Sequence, residues 1–133
     1  LFGEGDGKPD MSVSVISFGF KNGIPLEADL VFDVRCLPNP YYIAELRHQT
    51  GLDAGVRDFV FGYQQTRDLM AHLESLLSFL LPLYVEEGKT ALVIAVGCTG
   101  GHHRSVAVTR ALADFIRQKG YNASESHRDM TRD

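Results

Sequence analysis

The run Ala91–Val96 (ALVIAV), followed by Gly97-Cys98-Thr99-Gly100-Gly101-His102-His103-Arg104-Ser105, constrains this chain more than any other stretch. A short, wholly apolar run of this kind is the mark of a central parallel strand, buried on both faces. Glycines then break the strand. From about His103 the apolar residues Val108, Leu112 and Phe115 recur at helical spacing, predicting a helix to about Lys119. Gly120 stands where a helix ends on a left-handed residue. A strand, a glycine loop and a helix in that order are the core unit of an α/β protein.

The rest of the chain supports that reading. Met11 to Phe20 alternates Val13, Val15, Ile16, Phe18 and Phe20 as a strand does, and Lys21-Asn22-Gly23 turns it. Leu30 to Val34 reads as a short buried strand with polar residues at its C-terminal end. Pro38-Asn39-Pro40 imposes a rigid loop, because each proline fixes its own φ and pushes its predecessor away from helix. Tyr41 to Gln49 is predicted helical, and Val56 to Phe61 a short strand or an extended loop. Leu69, Leu73, Leu76 and Leu80, joined by Met70, Leu77 and Leu81, give a long helix that Pro82 should end or kink. Asn122 to Ser126 offers a last strand. These alternating elements imply an α/β three-layer sandwich on a mostly parallel sheet, forming a single domain over residues 11–133. Residues 1–10 (LFGEGDGKPD), with three glycines, a proline and four charges, read as a linker. Gly7-Lys8 is no P-loop, since Phe2 and Pro9 stand where that motif needs glycine and a hydroxyl.

Composition narrows the function. A content of 44% hydrophobic and 23% charged residues over 133 positions is that of an ordinary globular domain. No run approaches the roughly 18 uninterrupted apolar residues of a membrane span, and the start lacks a secretory layout. Two cysteines, Cys36 and Cys98, make no disulfide framework, so a cytoplasmic setting without a membrane partner is expected. The net charge of −4 disfavours bulk electrostatic binding to nucleic acid. The charge is uneven, however. Residues 102–133 hold six of the thirteen Lys and Arg, four of the seventeen acids and three of the five His, beside the glycine loop. That asymmetry suits an anionic ligand or a local RNA contact.

The loop itself has the chemistry of a phosphate site. Glycine lets backbone N–H groups converge, a helix N-terminus adds free donors and partial positive charge, and Arg104 offers a planar fork for phosphate oxygens. Thr99 and Ser105 supply hydroxyls, Gly100 and Gly101 backbone, and His103 or His102 a ring. The competing reading is a tight strand-to-helix connection with glycines for packing alone. Cys98 and Arg104 also match the Cys-x5-Arg-Ser spacing of cysteine-dependent phosphatases, in which a thiolate attacks phosphorus. Such an enzyme needs a general acid, for which Asp33 and Asp58 are unplaced candidates. Cys98 as a small packing residue is the plainer alternative. No metal is expected from Cys98, His102 and His103, because no fourth ligand is suitably spaced. No cofactor is implied.

Asp33-Val34-Arg35 forms a second polar cluster. If its strand neighbours Ala91–Val96, Asp33 could accept from sugar hydroxyls or an amine, and Arg35 could meet phosphate; a structural Asp–Arg pair is the equal alternative. Cys36 reads as a packing residue. His48 and His72 read as helix-surface residues. His127-Arg128-Asp129 reads first as a solvated tail, and second as a further ligand-facing segment that would bring Arg128 to the site.

Phe32-Asp33-Val34-Arg35-x-Leu37-Pro38-Asn39-Pro40, together with Gly97-Cys98-Thr99-Gly100-Gly101-x-His103-Arg104-Ser105-Val106, resembles the C-terminal domain of the RapZ/YvcJ family. His127-Arg128-Asp129 resembles its closing segment, and the likeness runs from about Ser12 to Asp129. The resemblance implies a domain that follows a P-loop, ATP- and GTP-hydrolysing domain. In one branch it implies an RNase adapter that binds small RNA and senses glucosamine-6-phosphate. On that basis Asp33, Cys98, Thr99, Gly100, His103 and Arg104 match positions lining the sugar-phosphate pocket. Tyr41 stands where the adapter branch has a pocket histidine, and His102 where lysine is common. The end of the chain lacks the adapter's basic cluster, and the P-loop domain is absent, so nucleotide hydrolysis does not transfer.

The leading expectation is therefore a regulatory, ligand-sensing domain that binds an amino-sugar phosphate at Gly97–Ser105 and is not itself an enzyme. A cysteine-dependent phosphatase and an RNA-binding module are the alternatives. A small RNA or protein partner is expected, and homo-oligomers in the full-length protein, the latter through the apolar long helix.

Overall fold

The computed structural model describes residues 10–132, so the expected linker falls outside the described residues except for Asp10. Among the described residues there are four strands, β1 (Ser12–Gly19), β2 (Leu30–Asp33), β3 (Ala91–Cys98) and β4 (Asn122–His127), and three α-helices, two of them between β2 and β3 and one between β3 and β4. The helices are α1 (Ala54–Phe61), α2 (Gln64–Glu87) and α3 (Arg104–Gln118). The strands form one wholly parallel sheet in the order β2-β3-β1-β4. The chain is thus an α/β sandwich built as one unit, as its pattern predicts, but in two layers rather than the three expected, because all three helices share one core with a single face of the sheet.

The apolar run lies where its composition demands. β3 sits between β1 and β2, and Leu92, Ile94, Ala95 and Val96 are all fully buried. Both helical crossovers, β2 to β3 and β3 to β4, step the same way across the sheet, and right-handed crossovers then place their helices on one face. There Val13, Val15, Leu92, Ile94 and Val96 meet Val56 and Val60 of α1, Leu73, Leu77 and Leu81 of α2, and Val108, Leu112 and Ile116 of α3. Ile116, rather than Phe115, completes the α3 face; Phe115 is half-buried with the Lys119 ammonium over its ring.

Three expectations change. Val56–Phe61 belongs to a helix, neither strand nor extended loop, because Val56 and Val60 bury one turn apart against the core. Tyr41–Gln49 is not an α-helix. A 3-10 turn over Pro40–Tyr42 leads into further turns closed mostly by i to i+3 bonds, such as Leu46 N–H to Ile43 and Gln49 N–H to Leu46. Tyr41, Tyr42 and Ile43 are exposed, so no apolar face is buried to hold a helix there. Pro82 does not end α2, which runs on to Glu87. The buried Leu77 and Leu81 pin the helix at the proline, and it stops at Gly88 (φ 96°) with Lys89 N–H bonded back to Tyr84.

By length and composition α2 is long and apolar enough to cross a bilayer. One stripe of it, Leu73, Leu77 and Leu81, is committed to the core; a second, Leu76, Phe79 and Leu83, is exposed. His72 is exposed on α2 as expected, whereas His48 is exposed on the turns that follow Tyr42.

Register decides what the sheet's carboxyl edge presents. Gly19 pairs with Cys98 and Asp33 with Gly97, so β1, β2 and β3 all end at one level. Ligands bind beyond this edge in open α/β sheets.

Candidate functional site

Beyond that edge lies a cavity of about 400 Å³. Its floor is the β3–α3 loop, through Cys98, Thr99, Gly100, His102, His103 and Arg104; its rim is Lys21, Asn39, Tyr41 and Tyr42. Gly101 gives the loop its shape with φ of 83°, and a Cβ there would stand 2.7 Å from the Gly19 nitrogen. Gly97 serves packing instead, since a Cβ would strike the Phe18 and Phe20 rings.

Arg104 organises the site. It is 5% exposed, and its Nη1 donates to the carbonyls of Arg35 (2.7 Å) and Leu37 (3.1 Å). Nη2 lies 3.4 Å from the Thr99 hydroxyl. Its Nε is buried with no hydrogen-bond partner. A buried guanidinium N–H without an acceptor is costly, and an anion at the α3 N-terminus would relieve it.

His103 is buried too, and its Nε2 donates to the Arg47 carbonyl at 3.1 Å. A carbonyl only accepts, so that nitrogen carries the hydrogen, and burial holds the ring's pKa below its ordinary value against help from the Arg47 and Gln49 carbonyls. At neutral pH such a ring favours its neutral form, leaving Nδ1 as a lone-pair acceptor suited to a hydroxyl or amine rather than to phosphate oxygen. His102 meets the Arg132 carbonyl through Nε2 and packs edge-to-face on His103.

Cys98 is 3% exposed and its Sγ donates to Ser105 Oγ at 3.2 Å. Ser105 is fully buried by this contact and does not line the cavity; nor does Gly101.

The second cluster resolves into a pair. Arg35 donates from Nε to Asp33 Oδ1 (3.0 Å) and from Nη2 to Asp33 Oδ2 (2.7 Å), and it lies 3.9 Å over the Phe20 ring. The Arg35 hydrogen bonds outweigh desolvation and hold the Asp33 carboxyl below its usual range, with Arg104 adding attraction. Neither Asp33 nor Arg35 lines the cavity, and Asp58, exposed on α1 beside Arg57, is not there either. Cys36 is exposed, so its reading as a packing residue is corrected: it sits in the turn after β2, outside the core. Among the described residues no three His, Cys, Asp or Glu gather to hold a metal.

The closing segment is not a solvated tail. His127 ends β4 with Nδ1 at 2.8 Å from Ser17 Oγ and Nε2 at 2.9 Å from Glu125. Asp129 is fully buried behind the loop, and Arg128 binds it and the Gly23 carbonyl, away from the cavity. The neighbouring cations are likewise engaged, Arg110 with Glu125 and Arg132 with Asp129. Sequence reasoning passed over Lys21, Asn39 and Tyr42. The carboxyl-edge rule, applied to β1 as it was to β3, points to Lys21, whose N–H donates to the Thr99 carbonyl.

The model of the RapZ C-terminal domain matches residues 11–131. The chain belongs to that family. This RapZ C-terminal domain is 52% identical to a nucleotide-binding protein of Clostridium novyi, over 91% of the chain and 41% of that protein. It is 50% identical to one of Clostridioides difficile over 97% of the chain and 45% of the relative. For one of Caldicellulosiruptor saccharolyticus the figures are 48%, 100% and 45%. The chain therefore spans less than half the length of these relatives.

Proposed function

We propose that this RapZ C-terminal domain senses a phosphorylated metabolite, taking its phosphate at the β3–α3 loop. The observation that carries this is the unpartnered Nε of buried Arg104, which lines a cavity at the N-terminus of α3. An anion there accepts from Arg104, from Thr99 and from loop amides in one place. The acceptor nitrogen of neutral His103 suits a hydroxyl or amine on the same ligand, and Asn39 and Tyr41 add polar groups at the rim. An amino-sugar phosphate combines these features, and glucosamine-6-phosphate is the one to which the family resemblance points. The relatives' name, nucleotide-binding protein, belongs to chains more than twice this length, so nucleotide binding stays with those longer chains and ligand sensing is assigned to this domain.

Calorimetry with glucosamine-6-phosphate, glucosamine and inorganic phosphate tests the reading. Saturable binding of the sugar phosphate that vanishes in Arg104→Ala supports it; no binding by the unaltered chain rejects it.

One contact favours a second reading. The 3.2 Å approach of Cys98 Sγ to Ser105 Oγ places a hydroxyl where it would stabilise a thiolate facing a bound phosphate. An aryl phosphate assay beside Cys98→Ser decides this, since turnover lost in the variant would make the domain a phosphatase.

A further inference from the structure

The sheet's carboxyl edge holds a carboxylate that should not help an anion site. Asp129 is fully buried beneath the phosphate loop and takes the Gly19 N–H at 2.8 Å, Arg128 Nη2 at 2.8 Å and Arg132 Nη1 at 3.0 Å. Its Cβ would lie 3.0 Å from a Cβ built on Gly101, and a Cβ on Gly19 would collide with the Gly100 backbone. Gly19, Gly100–Gly101 and Asp129 are thus interlocked at van der Waals distance. The same turn returns to the loop once more, because the Arg132 carbonyl receives the His102 ring.

From this geometry we infer that Asp129 is a positioning residue for the phosphate site, holding the Gly100–Gly101–His102 segment in its binding shape through Gly19 and Arg132. The inference rests on the phosphate-binding reading above. By its charge alone the carboxylate opposes a neighbouring anion, so removing it should tighten binding. By its contacts it fixes the backbone that the anion must meet, so removing it should weaken binding. The two effects have opposite signs, which makes the role measurable. Burial works against the charged carboxyl, but Arg128, the Gly19 amide and Arg132 prevail, so it is ionised and acts as acceptor alone.

The test compares Asp129→Asn, Asp129→Ala and Arg132→Gln with the unaltered chain, using glucosamine-6-phosphate in calorimetry and amide hydrogen exchange without ligand. Asn keeps one acceptor for Gly19 and loses both ion pairs; Arg132→Gln loosens Asp129 from an exposed position and spares the core. Affinity should fall by about tenfold in Asp129→Asn and further in Asp129→Ala, with a smaller fall in Arg132→Gln. Exchange at Gly100, Gly101 and His102 should quicken while β3 stays protected. Leu77→Ala serves as a control, destabilised in the core yet expected to bind normally when folded. Unchanged or tighter binding in the Asp129 and Arg132 variants, with unchanged loop exchange, overturns the inference. If the unaltered chain binds no sugar phosphate, the functional reading fails instead, and the exchange data alone still show whether Asp129 holds the loop.

Discussion

The guanidinium of Arg104 meets the carbonyl of Leu37, 67 positions earlier in the chain, at 3.1 Å. One side chain therefore ties the loop after β2 to the N-terminus of α3, and the same side chain faces the cavity. Arg104→Ala should lower sugar-phosphate affinity by at least about tenfold and, by stripping donors from two carbonyls, cost about 1–3 kcal/mol of stability. Arg104→Lys restores charge but not the fork, so affinity should stay well below that of the unaltered chain. Calorimetry and urea unfolding read the two effects separately.

Two adjacent glycines should behave differently. Gly101→Ala forces a side chain to φ of 83° against the Gly19 backbone, and a loss of about 1–3 kcal/mol is expected in urea unfolding. At Gly100 the nearest atom to a Cβ is the His102 ring at 3.8 Å. Gly100→Ala should therefore hold stability within about 0.5 kcal/mol and show its effect in ligand affinity, since Gly100 lines the cavity.

His103, and a set of carboxylates in which Asp129 joins Asp29, Asp33 and Glu125, shape the acid side of the stability profile. Burial depresses the pKa of His103 in the folded chain, so below the ordinary value of 6.5 the unfolded chain takes up the proton first. Its contribution is complete above that pH and shrinks as pH falls beneath it. Asp129, whose carboxyl is held far below its ordinary 3.8, adds a second loss once pH drops under that value. Thermal melts from pH 8 to 3 should fall in two stages, with His103→Gln flattening the first and Asp129→Asn removing part of the second, to which Asp29, Asp33 and Glu125 also contribute.

The cysteines should differ in reactivity. Cys36 is exposed and should react at once with a thiol reagent; Cys98, 3% exposed under the loop, should react slowly, and glucosamine-6-phosphate should slow it further. Equal rates, or no protection by the sugar phosphate, would contradict the placement of the ligand over Cys98.

Leu77→Ala should cost about 2–5 kcal/mol, because Leu77 is fully buried where α2 meets the core and its loss leaves a cavity. Binding by the folded fraction should be unaffected, which calorimetry well below the melting temperature would show.

Local pattern was enough for the elements whose signal is period and composition: ALVIAV as an inner strand, the Val108–Leu112 face of α3, and the alternation of β1. It was enough, too, for the strand-to-helix connection at Gly97–Ser105, because its glycines, Arg104 and hydroxyls all lie within nine residues. It misread Tyr41–Gln49, Val56–Phe61 and the helix end offered at Pro82, where the outcome depends on which apolar face finds a partner. Asp33, Arg35 and Asp129 show the limit most clearly. By itself the sequence determined that this chain is a parallel α/β domain with a glycine-rich strand-to-helix loop after its inner strand. Only the tertiary structure decided that Arg35 neutralises Asp33, that Lys21, Asn39 and Tyr42 wall the cavity, and that Asp129 lies buried behind the loop. The reason is that a hydrogen bond between Asp129 and Gly19 spans 110 positions and exists only once β1 and β4 have paired, so no local pattern encodes it.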